Sequence, residues 1–406
     1  MLAIDGGAPV RTRPFPSGSG LPEVGEEEAQ AVAAVVRSGR LWRYDGREVL
    51  NLEAEFAAIH GVPARQVVAS TSGTAAVHVA VGALDPEPGD EIIVPPITDM
   101  GTVIPVLAQN AIPVFADVHP DTYCLDPADV ERRISPRTRA IIAVHLFGQP
   151  CDLPALRQIA DRHGIALIED AAQAPLADIA GRLCGTWGDF GCFSLQQSKH
   201  ISSGDGGLTV VADPERAGRA RLFMDKGWPR EGTERTHLLL GMNYRLTELQ
   251  AAVARPQLRR LAEIVERRRQ VATVLDQALE GMAGLTVPHP PHGGRSAYWL
   301  YPVVVEGGAE RFAATVRAEG IPLRAGYVQP LYLLPSLRDR RTYGGSGFPF
   351  TAPGARPQPE FSPGLCPHAE ALPDRLCLLN MRGITAEDAV DAGTAIAKVA
   401  RALAGA

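Results

Sequence analysis

Lysine is almost missing from this 406-residue chain: of its 40 Lys and Arg residues only Lys199, Lys226 and Lys398 are amines. Arginine keeps its proton at any accessible pH, whereas a lysine can be desolvated into a neutral nucleophile. Codon bias toward arginine produces the same scarcity, so the count alone only marks three positions to inspect. Net positive charge is also lacking. The formal charge is -6 and no dense basic run stands out, which excludes the electrostatic footprint of a nucleic-acid-binding protein. No apolar stretch approaches the roughly 18 residues needed to span a bilayer. The opening MLAIDGGAPVRTRPFP has an acid at position 5 and no apolar h-region, so a soluble cytoplasmic protein is expected. The six cysteines, at 124, 151, 184, 192, 366 and 377, form no Cys-x-x-Cys. No structural zinc or other metal site is expected, and the thiols read as reduced small apolar residues.

What is present is an alternation of two periods. The stretches 25–39 and 49–61 have apolar residues at helical spacing and end in glycine. They are followed by short, nearly continuous apolar runs: VVAS at 67–70, EIIVP at 91–95, IPVFADV at 112–118, RAIIAVHLFG at 139–148, IALIED at 165–170, FGCFSL at 190–195 and LTVVA at 208–212. Runs apolar on both faces suit a parallel sheet covered by helices, and helical patterns such as 74–84 and 153–164 lie between the first five. The expected fold class is therefore α/β, a doubly wound, mostly parallel sheet with a smaller C-terminal α+β domain. The last two runs are close in sequence, so an antiparallel edge or hairpin is expected there. A long helical stretch, 247–280, is interrupted by Pro256, which should kink or split it. The expected division is 1–255, an N-terminal arm and large domain, and 256–406, the connecting helix and small domain.

In open α/β sheets ligands gather at the carboxyl ends of the strands, and three candidates fall there. Ser72, Gly73 and Thr74 follow VVAS and open a helix, where backbone N–H groups attract an anion; the same residues also read as an ordinary N-cap and turn. Asp170 ends IALIED, and Lys199 follows FGCFSL within SLQQSKHISSGDGG. Each alone is commonplace as a cap or a solvated group. Together they match the needs of pyridoxal phosphate: an anion seat, a carboxylate for the pyridine nitrogen and an amine for the aldehyde. An ion pair at about 4 Å in an effective dielectric of 20 is worth ~4 kcal/mol, or about three pKa units, enough to keep the ring nitrogen protonated. The lysine would anchor the cofactor and then act as general base.

Six stretches in order, GGAPVR at 6–11, STSGTAAVHVA at 70–80, IPVFADV at 112–118, IEDAAQA at 168–174, GDFGCFSLQQSKHISSGDGG at 188–207 and GMNYRLTELQAA at 241–252, give a chain that resembles the DegT-type sugar aminotransferases of fold type I over nearly its whole length. The resemblance implies that Lys199 forms the Schiff base, that Asp170 pairs with the pyridine nitrogen and that Gln173 approaches the ring hydroxyl. It further implies that Gly73, Thr74 and Ser194 hold the phosphate and that Asn243 reaches it from a neighbouring subunit, making a homodimer with shared sites. Where such proteins place an aromatic on the cofactor ring, this chain has Asp99 and Met100, either of which is a candidate to face cofactor or substrate. GYVQPLY at 326–332 supplies Tyr327 as a substrate candidate and puts Tyr332 where a histidine is frequent. Trp42, Tyr44, Lys226 and Trp228 are further substrate candidates, although exposed loop residues of this kind are more often simply solvated.

The reaction implied is transfer of an amino group from glutamate or glutamine to a keto-sugar or keto-cyclitol in secondary metabolism; GGAPVR is similar to members acting on cyclitols and aminohydroxybenzoate precursors. Related dehydratases replace the lysine with histidine, whereas here Lys199 is present and His200 merely follows it. A non-catalytic binding protein would have no need of an intact Lys199 and Asp170.

Overall fold

The computed structural model describes residues 1–16, 23–230, 235–358 and 360–404. The apolar runs become β1 (Val67–Ser70), β2 (Glu91–Val94), β3 (Ile112–Phe115), β4 (Thr138–Val144) and β5 (Ala166–Asp170). A small ribbon of β6 (Asp178–Ile179) and β7 (Arg182–Leu183) precedes β8 (Phe190–Ser194) and β9 (Gly207–Val211). Seven strands form one sheet in the order β1-β9-β8-β5-β4-β2-β3. Parallel pairing links β3, β2, β4, β5 and β8, while β9 is antiparallel to both its neighbours. The antiparallel strand is thus second from the edge, inserted between β8 and β1, rather than at the edge itself. The segment 195–206 that joins β8 to β9 contains no helix, and without a crossover helix the two strands can only return antiparallel.

Helices α1 (Glu26–Ser38), α2 (Glu48–His60), α3 (Gly73–Leu84), α4 (Ile104–Ala108), α5 (Pro127–Arg133), α6 (Leu153–His163) and α7 (Pro214–Met224) surround this sheet. α3 is buried on every face from Ala75 to Ala83, as its run of Ala, Val and Gly requires, and it packs between β8, β9 and α7. The outer edge of β1 is closed by side chains. Ala69 N–H donates to Glu53 at 2.9 Å and its carbonyl accepts from Arg43 at 3.2 Å, the two side chains being paired at 2.9 Å. An edge satisfied in this way is a poor template for a foreign strand.

α8 (Glu248–Leu279) runs unbroken through Pro256, so the proline does not split it. One missing N–H costs a helix interior ~3 kcal/mol. Burial of both halves offsets that cost: Leu258, Leu261, Ile264 and Val265 enter the core of the large sheet, and Val271, Ala272, Leu275 and Leu279 enter a second core. The second core lies under an antiparallel sheet of β10 (Leu285–Thr286), β11 (Leu300–Val305), β12 (Arg324–Ala325) and β13 (Leu376–Asn380), ordered β10-β11-β13-β12. Helices α9 (Ala309–Ala318), α10 (Pro335–Arg338), α11 (Pro367–Ala371) and α12 (Ala386–Ala404) complete the chain. The N-terminal arm is pinned to this part: buried Glu319 accepts from the N–H groups of Ala3 and Val10 and pairs with Lys398 at 2.8 Å, and Arg11 pairs with Asp388 at 2.8 Å. Lys398 is therefore a structural cation. Among the described residues no helix is long and apolar enough to cross a membrane.

β5, the middle strand, ends in two carboxylates. The Glu169 side chain is wholly buried and accepts N–H groups from Gly185 (2.7 Å), Trp187 (2.7 Å) and Gly188 (2.6 Å). His145 Nδ1 accepts from Cys151 N–H at 3.1 Å, so its Nε2–H donates to Glu169 at 3.1 Å. His145, Glu169 and Cys184 stand close enough to suggest a metal cluster, yet the carboxylate and both ring nitrogens are committed to these bonds, and burial pushes the Cys184 thiol well up. Glu169→Gln puts an NH2 donor among N–H donors. It is expected to cost ~3 kcal/mol and to lower Tm by several degrees, measurable by calorimetry.

Candidate active site

Because β9 alone runs the other way, the carboxyl ends of β1, β2, β5 and β8 and the amino end of β9 share one edge. Gly207 opens β9 opposite both Ser70 and Ser194. A Cβ at Gly207 would come within 2.1 Å of the Ser72 carbonyl oxygen, so only glycine lets β9 pass under the turn into α3. At this edge lies a cavity of about 360 Å³ lined by Ser72, Gly73, Thr74, Asp99, Asp170, Gln173, Ser194, Lys199 and Tyr327 among others. Lys199 and Asp170 thus open into one space, together with the turn that begins α3.

Each wall has a local cause. Ser72 is the N-cap of α3 and its Oγ accepts from Ala75 N–H at 3.0 Å, which leaves the N–H groups of the first turn directed at the cavity end of a 12-residue helix. A Cβ at Gly73 would lie 2.8 Å from the Ser194 side chain; the missing side chain lets the helix start approach Ser194. Asp170 accepts from Thr102 Oγ1 at 2.7 Å and from Ala172 N–H at 3.2 Å. Burial pushes its carboxyl above the ordinary range, against the pull of those two bonds and of Lys199. A desolvated carboxylate with so few donors gains from a cationic partner on its cavity side. Gln173 donates weakly to Tyr327 at 3.4 Å through Nε2, and its Oε1 accepts from Phe147 N–H at 2.7 Å, so the carboxamide turns its N–H side toward the site. Among the described residues lining the cavity, Lys199 is the one cation. Burial lowers its amine to about 8, while Asp170 and Asp99 pull the other way.

Several residues named from the sequence stand elsewhere. Asp99 caps the short turn 100–102 and lines the cavity with Gly101, while Met100 packs against the large core. The turn's apolar residue takes the apolar side, and Met100 is not among the residues that line the cavity. Tyr332 is fully buried, bonded to Glu370 and to Cys366 N–H. Trp42, Tyr44, Lys226 and Trp228 form a separate surface cluster. There Arg230 stacks 3.7 Å from the Trp228 ring centroid and lies over Trp42 and Tyr44, and Tyr44 donates to Asp225 at 2.7 Å. Burial would raise Asp225, but bonds from Arg230, Tyr44 and Arg245 hold it at about 2. Asn243 is exposed and adjoins this cluster through a backbone bridge to Asp225; it does not line the cavity of its own chain. Positions 231–234 of the loop at 225–237 lie outside the described residues.

Thr102, Asp205 and Trp299 are among the cavity residues that the sequence reading did not name. Thr102 is held by Thr98 at 2.8 Å and braces Asp170; the spacing of two threonines across a turn was its only signal. Asp205 sits among the glycines after Lys199 and Trp299 in a run that reads as plain strand, and both line the cavity.

The family model described as the DegT/DnrJ/EryC1/StrS aminotransferase family matches residues 22–356. The chain belongs to that family. Among relatives of this DegT-family aminotransferase, an L-glutamine:2-deoxy-scyllo-inosose aminotransferase from Streptomyces kanamyceticus is 40% identical over 319 residues, 74% of this chain and 72% of the relative. Of solved structures, the aminotransferase TlmJ from Streptoalloteichus hindustanus aligns with a TM-score of 0.82 and 32% identity, over 95% of this chain and 98% of the other. Similarly, 3-amino-5-hydroxybenzoic acid synthase aligns with a TM-score of 0.83 and 28% identity, over 95% and 98%. The architecture is that of a fold type I aminotransferase.

In this DegT-family chain the residues present fit pyridoxal phosphate: a helix start that glycine keeps open, an under-satisfied carboxylate and a desolvated amine face the same cavity. Covalent uptake needs the neutral amine. The rate at which cofactor-free protein takes up pyridoxal phosphate should therefore climb with pH and level off above about 8. Asp99→Asn removes a charge that favours the ammonium, and should move the midpoint down by a few tenths of a unit, read from the absorbance rise.

Proposed function

We propose that this aminotransferase uses pyridoxal 5'-phosphate to move an amino group from glutamine or glutamate to a keto-cyclitol or keto-sugar in antibiotic-type secondary metabolism. The observation that carries the reading is the convergence of Lys199, Asp170 and the amino end of α3 on one cavity. The relative from Streptomyces kanamyceticus, named for glutamine and a keto-cyclitol, supports glutamine as donor and a keto-cyclitol as acceptor.

Gly73, Thr74 and Ser194 would hold the phosphate, Gln173 the ring hydroxyl and Asp170 the pyridine nitrogen, with Lys199 as the covalent anchor. Bound there, the cofactor supplies an electron sink for the C–H bond that must break. Asp170, through its negative charge, keeps a proton on the ring nitrogen, and Thr102 fixes the direction of that carboxylate. Lys199, once free, has a proton affinity near the working pH. Its Nζ can therefore take a proton from substrate carbon and return it without a large penalty in either direction. The buried surroundings limit water at that nitrogen. An intact Lys199 speaks against dehydration on the same scaffold.

The active unit in this reading is a homodimer, and the setting cytoplasmic. Leu41, Trp42 and Tyr44, between α1 and α2, and Leu238 and Leu240, between α7 and α8 with Trp228, Arg230 and Asn243, are large apolar residues left exposed, Leu240 by 90%. A second copy covering this patch would bring Asn243 to the partner's phosphate and the aromatic cluster to the mouth of the partner's cavity. Two lobes, 1–255 and 256–406, would move about α8, which is shared by both cores.

Purified protein should show an absorption band near the visible edge that bleaches with glutamine. Lys199→Ala should lose the band while Lys226→Ala keeps it; protein that stays colourless with added pyridoxal phosphate would sink the reading. For the shared site, Lys199→Ala and Asn243→Ala chains, each impaired alone, should recover one intact site when mixed. No recovery means that both residues serve a site within one chain.

A further inference from the structure

We propose that Trp299 is the seat of the Lys199 ammonium: its indole face holds the amine whenever Nζ is not covalently engaged, which makes Trp299 a positioning residue for the reacting lysine. The proposal rests on reading Lys199 as the reacting amine. Nζ lies 4.0 Å from the centroid of the Trp299 ring, inside the range where a ring quadrupole attracts a cation. Among the described residues, no carboxylate oxygen approaches Nζ within the 4.0 Å of an ion pair. The π face is therefore its nearest electrostatic partner.

The ring is held in place from both sides. Its Nε1–H donates to the carbonyl of Ser198 at 2.7 Å, which ties the indole to the residue just before the lysine. The Tyr298 and Trp299 carbonyls accept from the buried Arg268 at 3.1 and 3.5 Å. On the lysine side, Arg382 donates to the carbonyls of Gln197 and Lys199 at 2.9 and 2.5 Å. Tyr327 meets the indole edge-on at 6.2 Å. Turn and ring are thus clamped relative to one another by backbone-directed bonds, with the amine between them.

Charges around the amine come from several elements. Asp170 at the end of β5 and the loop residues Asp99 and Asp205 share the cavity with it, as does the phenol of Tyr327. Behind it stand Arg268, Arg382 and His200; the imidazole donates to the Ala297 carbonyl at 2.8 Å and is kept neutral mainly by its burial. A tight ion pair with Asp99 or Asp170 would hold the lysine as ammonium, which has no lone pair with which to attack. A π face attracts only the charged form and releases it as the proton leaves, so it orients the amine without trapping it.

The test follows the ionisation of Lys199 in full-length, cofactor-free protein, by the pH dependence of its acylation rate at the peptide level, with Lys226 and Lys398 as internal references. If Trp299 stabilises the ammonium, Trp299→Leu lowers the Lys199 midpoint by about half to one unit, and Trp299→Phe, which keeps a π face but not the N–H, retains more than half of the difference. A merely steric wall gives the opposite sign, because the smaller Leu admits water and raises the midpoint. An unchanged or raised midpoint in Trp299→Leu overturns the proposal. So does Trp299→Phe falling as far as Trp299→Leu, since the indole then acts through its bond to Ser198. This result is separable from the functional reading: midpoints that shift as expected in a protein with no glutamine-bleached band would leave the seat standing and the transaminase reading without support.

Discussion

The site depends on one strand ending in adjacent carboxylates that the pleat sends to opposite sides of a sheet. Glu169 is consumed by the fold, its oxygens filled by three loop N–H groups and an imidazole. Asp170, one residue on, has among the described residues a threonine hydroxyl and one N–H. The contrast is what makes one of them structural and the other available. A buried charge needs compensation: Glu169 finds all of it in its own chain, and Asp170 leaves some to be supplied from the cavity. The central place of β5 in the sheet keeps both carboxylates out of water and fixes the direction of the second.

The reversed strand β9 is the second constraint. By returning between β8 and β1 it brings a strand start, Gly207, to an edge otherwise made of strand ends. The backbone can then pass beneath Ser72 at a distance no side chain allows. That closeness packs the start of α3, Ser194 and the lysine turn around one volume. Glycine acts here by absence, since each missing Cβ is space into which a neighbouring backbone or hydroxyl has moved. The same reasoning separates the cavity from the aromatic patch around Asp225, whose guanidinium stacking and exposed leucines form a surface rather than a pocket.

The sheet and most helices were legible because buried parallel strands leave uninterrupted apolar runs and surface helices leave stripes ended by glycine. β13 was not: Leu376–Asn380 is a short apolar run flanked by turn residues, and nothing local distinguishes its pairing with β11 from a loop packed on the core. Pro256 misled because propensity is local, whereas α8 is held by two cores at once. At the site, residues at strand ends were readable from position alone: Ser72, Gly73, Thr74, Asp170 and Lys199; Ser194 came only with the family resemblance. Thr102 comes from a short turn and Trp299 from the residue just before β11 of the other sheet, and their roles arise only when distant segments meet. Asp99 and Met100 could not be told apart for a simpler reason, as a three-residue turn has an apolar and an open side, and sequence does not say which residue takes which.

The scarcity of lysine finds a physical account in how the cations are used. Guanidinium groups do the structural work: Arg43 on Glu53 at the edge of β1, Arg255 between Glu48 and Glu55 where α8 crosses α2, Arg230 and Arg245 on Asp225. These are forked, permanently charged contacts that an amine would make less well. Of the three amines, Lys398 is fixed on Glu319 and Lys226 sits on the surface patch, so only Lys199 is both desolvated and unpaired with a carboxylate. An aldehyde reacts with whichever amine is neutral, and neutrality at ordinary pH requires burial without a tight counter-ion. Using arginine elsewhere leaves few competing amines, and keeping the carboxylates beyond contact distance of the buried Lys199 leaves the remaining one able to lose its proton.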